Sequence, residues 1–111
     1  MVVDQLAAPA ADKVFHALAD TTRRDIVRRV LVEDQSVSAL ARRYPMSFAA
    51  VQKHVAVLAE AGLVTKQRRG RESLVRADID RLREARQGLD ALEQLWRDRV
   101  AQMDQILTEN A

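Results

Sequence analysis

The sequence predicts a mainly α-helical fold with one small β-hairpin and a long C-terminal helix. Three observations lead to it: an apolar-striped segment with start and stop signals from Pro45 to Val64, two strand-like runs around Gly70, and a stretch from Asp80 to Asn110 that contains no proline and only one glycine, Gly88. With 111 residues, 48% of them apolar, the chain suffices for one domain, residues 1–111, and is too short for two. The absence of cysteine excludes disulfides, thiolate metal sites and a thiol redox switch. No run approaches the roughly 18 apolar residues of a membrane span. Met1–Leu6 also lacks a cationic region followed by an apolar one, so a cytoplasmic protein without a membrane partner is expected.

Residues 1–10 show little periodicity, and the first few are expected to fray, although Leu6 can dock. Val14, Phe15 and Leu18 share a face of a short helix from Ala11 to Leu18, in which His16 reads as ordinary packing. Asp20 caps a second helix. Its inward stripe is Ile26, Val27, Val30 and Leu31, while Arg23, Arg24, Arg28 and Arg29 fall outside the stripe and read as solvated. Ser36 or Ser38 caps a third helix of near two turns, with Val37, Leu40 and Ala41 inward, ending before Tyr44 and Pro45.

A connection of three or four residues leads to the central helix. Ser47 caps it, Met46 and Val51 are spaced to staple its first turn, and Val51, Val55 and Leu58 form its buried stripe. Gly62 stops it near Ala61. A short helix, a tight connection and a longer capped helix make a helix-turn-helix, about residues 36–62, whose second member is suited to the DNA major groove. LVTKQRR and RESLVRA around Gly70 then read as a two-stranded wing, about residues 63–77.

In the last helix, about residues 79–109, Leu82, Ala85, Leu89, Leu92, Trp96, Met103 and Ile106 approximate a heptad seam. Arg99 interrupts the seam, Val100 fills in, and Leu95 and Leu107 broaden the face. So long a helix exceeds what a small domain covers, and its expected partner is a second copy, giving a homodimer. The rival arrangement is a monomer whose last helix folds back over the core.

The net charge of +2 hides an asymmetry, for residues 36–77 hold eight Lys or Arg against only Glu60 and Glu72. That excess favours phosphate binding, with double-stranded DNA as the expected partner. Ser47, Phe48, Ala49, Gln52 and Lys53 lie off the apolar stripe, and the first three turns of the central helix carry no carboxylate. Gln52 suits an adenine edge, and Lys53 suits guanine or phosphate. Phe48 either touches a thymine methyl or packs in the core, and Ala49 permits close approach. His54 borders the stripe and either braces the helix or contacts DNA. Arg68, Arg69 and Arg71 cluster at the wing tip, where phosphate or minor-groove contact is easy. Catalysis finds no support, since the histidines are two and Ser47 and His54 stand two turns apart. No cofactor is implied. A winged module that binds protein is the rival class, and it needs neither an acid-free helix nor a triple-arginine wing.

LADTTRRDIV, SVSALARRYPMS, AAVQKHVAVLAEAGLV and GRESLVRAD together resemble the ArsR-SmtB family of winged-helix repressors, over about Leu18 to Ala77. The resemblance implies a terminal dimerising helix and repression of the protein's own operon until an effector, here unknown, releases it. In the family pattern, the positions of Ser47, Phe48, Gln52 and Lys53 enter the groove. Thr21 stands where members often have proline. Ser36 and Ser38 stand where metal-sensing members carry the cysteines of CVCDLA, and hydroxyls are poor ligands for soft ions. The alternative family site on the last helix needs histidines, and residues 78–111 have none. The expectation is therefore a regulator that does not respond to metal.

Overall fold

The computed structural model describes residues 9–109, so the expectations for residues 1–8, Leu6 included, lie outside the described residues. In chain order it contains α1 (Pro9–Leu18), α2 (Thr21–Val32), β1 (Gln35–Ser36), α3 (Val37–Ala41), α4 (Phe48–Glu60), β2 (Val64–Arg69), β3 (Glu72–Ala77) and α5 (Asp80–Glu109). Three of these helices start where a side chain caps the free amides. Asp20 accepts from the Arg23 amide at 3.0 Å, Ser36 from Ala39 at 3.0 Å and Ser47 from Ala50 at 3.1 Å. Of the two serines considered for α3, Ser36 is the cap.

The end of α4 is equally well defined. Gly62 takes φ +79°, its amide donates to the Ala59 carbonyl, and the Leu63 amide donates to the Leu58 carbonyl at 3.0 Å. This is the glycine-ended pattern of bonds that satisfies the last carbonyls of a helix. The α3–α4 connection runs over residues 42–47, longer than the three or four residues expected, because the regular helix stops at Ala41 and gives way to a turn with three-residue bonds. There the Arg43 amide reaches the Leu40 carbonyl at 2.9 Å.

The sheet is antiparallel, in the order β1-β3-β2. β2 and β3 pair from Val64↔Ala77 to Arg69↔Glu72, leaving a two-residue turn with Gly70 at φ +63° in the first central position, as a II′ hairpin turn requires. The two expected strands are joined by a third, β1, whose Gln35 and Ser36 pair with Val75 and Leu74.

The core gathers one face from each element: Val14 and Ala17 from α1, Ile26 and Val30 from α2, Leu40 from α3, Val51, Val55 and Leu58 from α4, and Leu63, Val64 and Val75 from the hairpin. Four expectations need correction. Leu31 is 45% exposed, on the outer side of α2 while its neighbour Val30 is buried, and His16 is exposed rather than packed. Arg23 and Arg24 are structural: their guanidinium groups donate to the carbonyls of His16, Ala17 and Leu18 at 3.1, 2.7 and 2.7 Å, filling acceptors left open where α1 ends without a glycine cap. Arg28 and Arg29 both donate to Asp25, which also accepts from the Tyr44 hydroxyl at 2.6 Å.

On α5, Leu82 packs against the core, and Ala85, 4% exposed, and Gly88 are buried against their own body. The seam available to a partner therefore starts later than expected, without Ala85. From Leu89 on, the large apolar residues of α5 other than the half-buried Val100 are exposed, and the molecule extends 70 × 32 × 21 Å because the helix runs out from the body instead of folding back. Among the described residues, no helix is long and apolar enough to cross a membrane.

Candidate nucleic-acid interface

Helix α4 divides into two faces. Val51, Val55 and Leu58 are wholly buried, while Ser47, Phe48, Ala49, Gln52 and Lys53 are exposed. Phe48, at 47% exposure, is not a core residue, which removes the packing reading of the two. No acidic residue occupies the first turn, so the partial positive charge of the helix start is not offset there.

Strand alternation sorts the wing in the same way. Val64 and Val75 point inward and are buried, so Lys66 and Arg68, at the same parity on β2, lie on the face turned toward α4. Arg69 lies on the opposite face, with Glu72 as its register partner. Arg68 Nε donates to the Gly70 carbonyl at 3.3 Å, folding that side chain back over the turn, and Arg71 is exposed in the turn itself.

Between helix and wing lies an open cleft of about 390 Å³ that Ala49, Gln52, Lys53, Lys66 and Ser73 help to line. The structure thus brings Ala49, Gln52 and Lys53 to the wing side of α4 and sets the three arginines farther along the hairpin. His54 turns elsewhere. Its Nδ1 lies 3.4 Å from Arg23 Nη1 and 3.9 Å from an Asp20 carboxylate oxygen, so it braces α4 against the start of α2. Asp20 is held below the ordinary carboxylate range, first by the Arg23 amide and then by the charges of His54 and Arg23. Lys66 was missed at the sequence level, and its parity with Val64 was the signal available. Arg42 and Arg43, exposed in the connection before α4, add to the positive charge.

A regulator from Mycobacterium tuberculosis, the HTH-type transcriptional regulator Rv2034, is 39% identical over 79 residues, covering 71% of this chain and 74% of its own length. The solved structure of an ArsR-like transcriptional regulator from Rhodococcus sp. RHA1 shares 37% identity and a TM-score of 0.76, covering 87% of this chain and 92% of the other. The chain belongs to the ArsR family of winged helix-turn-helix transcriptional regulators. A further solved structure, that of the homodimeric winged helix-turn-helix DNA-binding domain (fragment 1–100) of Mb0332 from Mycobacterium bovis, described as a possible ArsR-family transcriptional regulator and determined in solution, is 27% identical with a TM-score of 0.63 over 88% of this chain and 89% of that one. No protein-family model matches the chain. In this ArsR-family chain, Ser36 Oγ is engaged as the cap of α3.

Proposed function

We propose that this protein is a homodimeric, sequence-specific DNA-binding regulator, an autoregulatory repressor acting in the cytoplasm on a partly palindromic operator. The observation that carries the reading is α4 itself, with one face sealed in the core and the other exposed, free of carboxylates over its first three turns and set beside a basic wing. In this reading α4 enters the major groove. Gln52 reads a base edge, Phe48 meets a thymine methyl, Ser47 and Ala49 allow close approach, and Arg68, Arg69 and Arg71 hold the backbone. His54 acts as a brace that sets the pitch of α4. Two copies joined through α5, as the homodimeric state of the M. bovis relative supports, would place two half-sites about 34–36 Å apart, one turn of DNA.

Seam contacts from Leu89, Leu92, Trp96, Met103 and Ile106 join the copies. Serine hydroxyls at positions 36 and 38 support a regulator that does not respond to soft metals, and no catalytic role enters. Selecting bound sequences from random duplex DNA, at near-physiological salt, tests this. The expected outcome is a palindromic motif for the native protein and an altered motif for Gln52→Ala. No enrichment of any duplex by the native protein would overturn the proposal.

A further inference from the structure

We infer that the cleft between α4 and the wing is the seat of one DNA phosphate, held between Lys53 and Lys66, so that Lys53 grips the backbone and does not read a base. The inference rests on the reading of α4 as the groove-entering helix. A helix in the major groove and a hairpin tip at the neighbouring minor groove are separated by a single sugar-phosphate strand. That strand must pass between the two elements, and in this molecule the space between them is the cleft of about 390 Å³.

Its walls carry matching chemistry. Lys53 stands on the helix side, Lys66 on the strand side, and Ser73 offers a hydroxyl next to them. β2 puts Lys66 there by parity, because the face holding Lys66 is the one on which Val64 is buried. Both lysines are exposed, and among the described residues neither takes part in an ion pair. A cationic cleft without internal counter-charges suits a phosphodiester, a point charge that ammonium groups meet without a fixed geometry.

The test uses the full-length protein and the duplex enriched in the selection above, titrated at several salt concentrations. Lys66→Gln and Lys53→Gln should each weaken binding to all sequences alike and lower the slope of log affinity against log salt by about one unit. Lys66→Arg should retain the native slope. The motif enriched by Lys53→Gln should equal the native one. Both positions are exposed, so unchanged thermal melting identifies a folded variant. An unchanged salt slope for Lys66→Gln, or an altered motif for Lys53→Gln, overturns the inference while leaving DNA binding by the native protein intact. Failure of the native protein to bind would instead strike the underlying functional reading.

Discussion

Asp25 accepts hydrogen bonds from three side chains, two on its own helix and one, Tyr44, from within the α3–α4 connection. Its carboxyl is held down to about 2, first by the Tyr44 hydroxyl and then by Arg29. Burial, reinforced by Asp25, pushes the Tyr44 hydroxyl up to about 12. The lowered carboxylate contributes stability that is complete above its ordinary value of 3.8 and lost as pH falls from there through about 2. The raised phenol contributes stability that is complete below 10.0 and lost as pH rises through about 12. Asp25→Asn should therefore lower unfolding free energy at pH 7 by about 1–3 kcal/mol, and chemical denaturation should show the deficit shrinking below about pH 4. A constant deficit down to pH 2 would contradict this origin. Periodicity placed Arg28 and Arg29 outside the stripe correctly, yet it could not disclose that a tyrosine on another element shares their acceptor. Hydrophobic pattern reports which way a residue faces and is silent about how far a long polar side chain reaches.

Elements with chemical punctuation were legible. Asp20, Ser47 and Gly62 each mark a helix boundary because the backbone there needs an acceptor or a left-handed turn, and each does so in the structure. β1 was not legible, since two residues cannot display alternation and only the docking of β3 makes Gln35 and Ser36 a strand. In the candidate interface, the exposed face of α4 could be read from helical spacing, whereas the cleft could not, because it arises only when the hairpin folds beside the helix. The two positive-φ glycines separate two costs at this scale. An added Cβ at Gly62 would sit 2.8 Å from Arg81 Cγ, while one at Gly70 meets nothing within 4 Å. Backbone strain alone costs about 1–3 kcal/mol at either site. Thermal melts should thus show Gly62→Ala as the more damaging change, and equal losses would mean that Arg81 yields freely.

For the whole molecule, the division of α5 matters most. Its first turns belong to the body, while Leu92 and Trp96 are 49% and 57% exposed, with the Arg99 guanidinium 5.9 Å from the Trp96 ring centre. Leu92→Glu should leave the folded protomer intact and, by placing a charge in the seam of both copies, yield monomers by light scattering. Binding to a palindromic site should weaken with it, since each half-site then acts alone without the high effective concentration of a tethered second reader.

The bare outer half of α5 also ties this molecule's order to its abundance. Isolated helices shorter than about 12–15 residues are marginal in water, so, with two copies paired as proposed, the segment of α5 beyond Leu95 would gain stability from assembly and follow mass action. Dilution should therefore unwind it, seen as falling mean-residue ellipticity at 222 nm and early cleavage by trypsin after Arg97 or Arg99. A cell would then hold a competent reader only above a threshold of expression, with surplus single copies exposed to proteolysis before they reach the chromosome.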